Sequence, residues 1–428
     1  MENKNKRPAE LLCSVMKRIY DRDLTTLTGG NLSVTDEDGI LWVTPTGIDK
    51  GALKPEDIVR VYPDGHTEGK HRPTSEYRIH HRIVLEHPEI CAVLHAHPPA
   101  LVTMSVLHEL PDTKLTISAW EAVGEVGLSE YAFPGTIALV DCVAKTFAEG
   151  YRAAVLKNHA TFLGSKTGLL DAYRRFEQLN RTAELQLNAA TIGTLSSLTS
   201  REVADYRRNV KCYNEQDFGV TDETDKTILR ELAALSHRAE KKKLFSAMSG
   251  AISARLSDGR FAIISKDADR ATATEDDFVR IEGDYCESGK KPDPSAALHQ
   301  AIYSAHPEVQ SVIVADPVSA TVFAVCDCPF DVNIIPESYG VLRNASRFSF
   351  RAYLEEKQRI AEQLDLEHPF AIIENLGIVL VGPNPLLTFD KLEVADFTAQ
   401  SIQQALRSKK EIKSMTPEQQ READELSS

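Results

Sequence analysis

Residues 41–60 return, altered, at 261–280. Pro55-Glu56-Asp57-Ile58-Val59-Arg60 in the first stretch stands against Glu275-Asp276-Asp277-Phe278-Val279-Arg280 in the second, an offset of 220. Ile79-His80 and Glu86-His87-Pro88-Glu89-Ile90 find Leu298-His299 and Ala305-His306-Pro307-Glu308-Val309 at an offset of 219, and Asn158 finds Asn375 at 217. A chain of 428 residues is long for one hydrophobic core, and a repeat of this period divides it into two copies of one fold. The copies are expected at residues 1–219 and 226–410. Residues 220–225, Val-Thr-Asp-Glu-Thr-Asp, have the acidic, polar composition of a linker. The charged stretch 411–428 reads as a solvated, disordered end without assigned function.

The copies differ where chemistry would sit. In the first, Ile90-Cys91-Ala92-Val93-Leu94 runs as a strand into His95-Ala96-His97, and Pro98-Pro99 ends it. Strand side chains alternate, so His95 and His97 share a face at the strand exit and make half of a zinc site. Alone, the pair reads equally well as two histidines at a strand end. His159, in the strand-like apolar run 153–164, offers a third ligand. Glu76, in the first turn of a helix opened by Thr74-Ser75, offers a carboxylate. On the offsets above, Glu76 faces Ser295, His95 faces Val314, His97 faces Asp316 and His159 faces Leu376. The four occur together and vanish together, as a metal site does, because it is useful only when complete. His80 and His299 occur in both copies, so His80 is assigned to structure.

Short loops around these residues suit an anion. Thr28-Gly29-Gly30-Asn31 combines two glycines, which can turn backbone N–H groups toward a ligand, with two side-chain donors. Thr46-Gly47 adds a hydroxyl and an unencumbered N–H, and Thr74-Ser75 cap a helix start of partial positive charge. Asn31 and Thr46-Gly47 face Ala251 and Lys266-Asp267 in the second copy. Further elements are expected as an amphipathic helix at 8–20, a strand at 136–140, a helix at 143–149 and a long helix at 165–196. The formal net charge of −14 argues against nucleic acid as the main partner. Apolar runs are too short for a membrane span, and the charged start carries no visible secretory signal. Seven cysteines, an odd number, suggest reduced thiols and a cytoplasmic location. Cys326 and Cys328 form a lone C-x-C, read as structural.

Thr-Gly-Gly-Asn, Thr-Pro-Thr-Gly, Pro-Thr-Ser-Glu, His-Ala-His and Asn-His-Ala, in this order, resemble the class II aldolase/adducin family, once over residues 7–215 and again, degraded, over 226–410. The resemblance implies an α/β fold of two tandem three-layer α/β/α domains, catalytic first and pseudo-catalytic second. It implies zinc held by His95, His97 and His159, with Glu76 a fourth ligand that swings away as acid/base. Manganese, cobalt or iron would accept the same donors. It implies that Gly30, Asn31, Thr46, Gly47, Thr74 and Ser75, with Thr28 beside them, hold a phosphate. The expected activity resembles that of fuculose-phosphate aldolase: retro-aldol cleavage of a small phosphorylated sugar through a zinc-stabilised enediolate, in a homo-oligomer with sites at domain or subunit interfaces. A decarboxylase or dehydratase of a related sugar phosphate is the second reading and an adducin-like scaffold the third. Family aldolases commonly place a tyrosine after the His-x-His strand. Here that region reads Ile117-Ser118-Ala119-Trp120-Glu121, leaving Tyr131, Tyr206 and Tyr213 as substitutes.

Overall fold

A computed structural model describes residues 7–427. They form two compact units: the first holds residues up to Thr113 with Ala119–Glu184, the second Lys114–Ser118 with everything from Leu185 onward. Residues 185–219, expected in the first copy, therefore belong with the second unit. The 220–225 stretch is not all linker, because Asp222 caps a helix that begins at Glu223.

In the first unit the strands are β1 (Asn31–Thr35), β2 (Leu41–Val43), β3 (Val59–Val61), β4 (Thr67–Glu68), β5 (Ala92–Ala96), β6 (Gly127–Ser129), β7 (Ala153–Leu156) and β8 (Thr161–Ser165). They build one sheet in the order β4-β3-β2-β1-β5-β8-β7-β6, antiparallel except for the β6–β7 pair. The helices are α1 (Pro8–Asp21), α2 (Tyr77–Glu86), α3 (Pro99–Leu107), α4 (Ile117–Val123), α5 (Ile137–Ala148) and α6 (Leu169–Ala189), the fourth and sixth continuing across the division between units. Proline at its first turn starts α1, and Leu12, Val15, Met16 and Ile19 bury one face of it. Every residue of β5, β7 and β8 is buried, so helices cover both faces of the sheet, as a three-layer α/β architecture requires. On one face Ile79 and Ile83 of α2, Leu139, Val143 and Phe147 of α5, and Val93 and Phe162 of the sheet share one hydrophobic cluster.

Two local expectations are corrected. Residues 136–140 are not a strand. The Thr136 hydroxyl accepts from the Leu139 N–H at 3.3 Å, capping α5, and Leu139, Val140, Val143 and Phe147 then recur at helical spacing. Residues 153–164 are not one strand but the hairpin β7–β8, with Asn158 at φ 53° in its turn. Apolar arms on both sides of Lys157-Asn158-His159 conceal such a turn, because both are buried.

The second unit adds α7 (Ser200–Asn209), β9 (Asn214–Gln216), α8 (Glu223–Lys241), β10 (Ala251–Arg255), β11 (Phe261–Ile264), β12 (Phe278–Glu282), β13 (Tyr285–Glu287), α9 (Ala296–Ala305), β14 (Ser311–Ala315), α10 (Val318–Val325), α11 (Pro336–Leu342), β15 (Ser346–Phe348), α12 (Phe350–Glu355), α13 (Lys357–Ala361), β16 (Phe370–Ile373), β17 (Gly377–Gly382), α14 (Pro385–Arg407) and α15 (Pro417–Ser427). Its sheet, β15-β16-β17-β14-β10-β11-β12-β13-β9, repeats the first with one strand added at the edge. Registers agree as well: Asn31 lies opposite His95, and Ala251 opposite Val314. The expected disordered end instead holds a helix, α15, tied to α11 by the Tyr339 hydroxyl donating to Asp424 at 2.9 Å. Cys326 and Cys328 are buried free thiols. Among the described residues no helix is long and apolar enough to cross a membrane.

Candidate metal centre

β5 ends at Ala96, and Pro99 begins α3, so His95 sits inside the strand and His97 just beyond it. His95 is fully buried. Its Nδ1 donates to the Thr161 carbonyl of β8 at 3.1 Å, which leaves the Nε2 lone pair to face the site. Phe162 stacks on the ring at 4.0 Å between centroids and 17° between planes. His159 arrives from the β7–β8 turn. The ligand atoms of His95, His97 and His159 all lie within 4.8 Å of one another.

Glu76 directly precedes α2 and is buried. Its Oε2 lies 3.2 Å from His95 Nε2 and its Oε1 3.5 Å from His159 Nε2. Asn31 Nδ2 donates to Oε2 at 2.8 Å, His80 Nε2 donates to Asn31 Oδ1 at 2.5 Å, and the Ser33 hydroxyl donates to His80 Nδ1 at 2.8 Å. Sequence reasoning assigned His80 to structure, as its burial and hydrogen bonds agree, but did not foresee that it would brace Asn31. The one available signal was the matched Ser-His pairing of both copies, since Ser253 likewise bonds His299 Nδ1 at 2.7 Å.

Burial opposes ionisation of Glu76, but His95, Asn31 and His159 around it outweigh that cost and hold its carboxyl well below the usual carboxylate range. Burial, with the neighbouring His95, pushes His97 down to about 3 and His159 down to about 4. Both rings are therefore neutral near pH 7, the form that ligates metal. His95 Nε2, His159 Nδ1 and Glu76 Oε1 are buried without a hydrogen-bond partner. Buried polar atoms without partners beside an ionised carboxylate are costly unless a cation completes them. Three imidazoles and a carboxylate fit a divalent ion of the zinc type, and manganese, cobalt or iron take the same donors.

Two of the loops expected to hold an anion meet beside Glu76. Pro45 bridges to Pro73, the Thr46 N–H donates to the Arg72 carbonyl at 3.1 Å, and the Thr74 N–H donates to the Thr44 carbonyl at 3.2 Å. Thr46-Gly47 is thereby set against Thr74-Ser75 at the start of α2. Thr28, Thr46, Gly47 and Ser75 are exposed, whereas Gly30, Asn31 and Thr74 are buried. The Asn31 side chain is committed to Glu76 and His80. Gly30 adopts φ +68°, and a Cβ there would lie 2.9 Å from the His95 carbonyl, so a glycine lets the loop approach β5 at this point.

In the second unit Asp316, at the position of His97, accepts from Ser249 and Ser118 hydroxyls, each at 2.7 Å. Hydrogen bonds within the unit replace the ligand set. Tyr206 and Tyr213 belong to this unit, Tyr206 packed on Phe350 and Tyr213 bonded to Gln300, while Tyr131 is exposed in the first.

A model of the Class II Aldolase and Adducin N-terminal domain matches residues 10–187 and again 230–402. The 5-methylthioribulose-1-phosphate/5-deoxyribulose-1-phosphate aldolase of Rhodospirillum rubrum is 30% identical over 199 residues, 45% of this chain and 89% of that protein. The L-fuculose phosphate aldolase of Methanocaldococcus jannaschii is 31% identical over 178 residues, 40% of this chain and 92% of its own length. The 3-oxo-tetronate 4-phosphate decarboxylase of Pectobacterium atrosepticum is 33% identical over 171 residues, 39% of this chain and 77% of that protein.

Proposed function

The chain belongs to the class II aldolase and adducin family, and from that premise we propose that its first unit is a metal-dependent lyase of a small phosphorylated sugar, cleaving a carbon–carbon bond by a retro-aldol reaction. The observation that carries this reading is the convergence of Glu76, His95, His97 and His159 with partnerless buried polar atoms. His95, His97 and His159 would hold a divalent ion, which supplies a positive charge against the negative charge that develops on the substrate oxygens as the bond breaks. Glu76 moves the proton. Its carboxylate is ionised at rest, so it accepts a hydroxyl proton from the substrate and later returns one to the carbon left behind. Asn31, braced by His80, keeps Oε2 aimed while the proton is in transit. Thr46, Gly47, Thr74 and Ser75 hold the phosphate, and that distant binding positions the reacting end.

A related decarboxylation is the second reading, favoured by the similarity to the Pectobacterium decarboxylase and by Trp120 in a region without a tyrosine. Both lyases would use the same metal and phosphate groups, so products distinguish them. Elemental analysis of wild type and His95→Ala tests the metal: about one ion per chain is expected in wild type and almost none in the variant. Aldehyde release from ketose 1-phosphates then supports the aldolase, and carbon dioxide release from 3-oxo acid phosphates the decarboxylase. A wild-type chain purified without chelators and still metal-free points instead to a scaffold.

A further inference from the structure

The second unit retains, in altered form, a buried cation of the first. Lys50 is fully buried, its Nζ donates to the Pro45 carbonyl, and its backbone N–H donates to the Leu27 carbonyl at 2.8 Å. Arg270, 220 residues on, is also fully buried. Its Nη1 donates to the Ala268 carbonyl at 2.7 Å and, at 3.3 Å, to the Ser265 carbonyl, counterpart of Pro45, and its N–H donates to the Ala247 carbonyl, counterpart of Leu27, at 3.2 Å. Both units thus place a cation at the same carbonyl of the same loop.

They differ in what neutralises it. The Pro45–Pro73 and Ser265–Pro292 bridges align Thr74 with Asp293. Asp293 accepts from Arg270 Nη2 at 3.0 Å and, through its other oxygen, from the Ser295 N–H at 3.0 Å and the Ser295 hydroxyl at 2.7 Å. A carboxylate there bridges a buried cation and the N-terminal end of α9. In the first unit the neutral Thr74 takes that place, accepting from the Glu76 N–H at 3.4 Å. Among the described residues no acidic side chain pairs with Lys50, and burial lowers it to about 8, so it still carries its proton near neutral pH. A buried ammonium without a counter-ion is costly, and an incoming oxyanion removes the cost.

We propose that Lys50 is a binding residue of the phosphate site, its ammonium serving the substrate's phosphoryl group as Arg270 serves Asp293. The proposal rests on the phosphorylated-substrate reading and adds to it a charged residue outside the Thr-Gly-Gly-Asn, Thr-Pro-Thr-Gly and Pro-Thr-Ser-Glu motifs. The second unit, by contrast, carries its own anion at this point and has no place for a phosphate.

Calorimetric titration of the metal-loaded, full-length chain with inorganic phosphate tests this, on wild type, Lys50→Gln, Lys50→Arg and Thr74→Asp, each checked for metal content and melting temperature. Lys50→Gln is expected to weaken phosphate binding at least about tenfold with metal content unchanged, and Lys50→Arg to restore most of it. Thr74→Asp is expected to abolish phosphate binding and to raise the melting temperature only where Lys50 is present. Equal phosphate affinity in wild type and Lys50→Gln overturns the proposal and leaves the phosphorylated-substrate reading standing. A metal-loaded wild type that binds no phosphate removes that reading, and the role of Lys50 with it. Should Lys50→Gln fail to fold, phosphate binding that survives Thr74→Asp overturns the proposal by itself.

Discussion

Glu76 is held by three neighbours, and each constrains a different property: His95 its charge, Asn31 its aim and α2 its position. Glu76→Gln keeps the shape and the bond to Asn31 but cannot accept a proton. It is expected to retain its metal and lose about 10²- to 10⁴-fold in turnover, read by steady-state kinetics beside elemental analysis. That His95, His97, His159 and Glu76 would gather in one place was legible in the sequence because the second copy acts as an internal control. The bond by which His80 braces Asn31 was not, since a histidine present in both copies gives no sign of which side chain it holds. His299, its counterpart, gives a separate expectation. Burial lowers it to about 3, below the value of about 6.5 in an unfolded chain, so the unfolded state takes up the proton first. Its contribution is therefore intact above about pH 6.5 and is lost as pH falls toward 3, at about 1.4 kcal/mol per pH unit. Denaturant midpoints of wild type should drop more steeply between pH 7 and 5 than those of His299→Gln. Parallel slopes would refute the assignment.

Among the elements, the strands that carry the site were the easiest to read and the segments around them the hardest. β5 announces itself through strand-forming residues closed by two prolines, and the two histidines follow from alternation. Residues 136–140 misled because Thr, Ile and Val favour strands locally, whereas the Thr136 cap and the spacing of Val143 and Phe147 decide for a helix. The β7–β8 turn was hidden because it lacks glycine and proline, its left-handed position being filled by Asn158. Gly30 shows how tightly the loop before β1 is fitted. Gly30→Ala introduces a Cβ at 2.9 Å from the His95 carbonyl on a backbone of positive φ. A loss of about 1–3 kcal/mol in stability is expected, together with reduced metal occupancy, because the displaced carbonyl belongs to His95, a proposed ligand. Thermal unfolding with metal analysis of the same preparation checks both, and an unchanged metal content would separate the loop from the centre.

At the scale of the whole molecule, the repeat fixes two sheets of one order, but it did not reveal where the compact units divide. Offsets compare residues and say nothing of packing, so β9, whose three residues are all exposed, gave no hint that it pairs in parallel with β13. The end of the chain was misjudged similarly: α15 is charged and exposed, yet Asp424 answers Tyr339 and Arg343. With His97 replaced by Asp316 and His95 by Val314, the described residues of the second unit hold no counterpart of the histidine cluster. Titration of metal-stripped protein is therefore expected to saturate at about one tight equivalent per chain, and a second equivalent of equal affinity would contradict the assignment.

The hydrogen bond from His95 Nδ1 to the Thr161 carbonyl ties the chemistry of a ring to the pairing of two strands. Which nitrogen keeps its proton is decided by which carbonyl of β8 lies alongside. A slip of one residue between β5 and β8 would present a different carbonyl and the opposite face. Fidelity of strand alignment is in this sense fidelity of protonation. A misaligned chain could keep its far-ultraviolet spectrum and its compactness while losing its affinity for metal, so metal uptake reports correct refolding more strictly than secondary-structure content does.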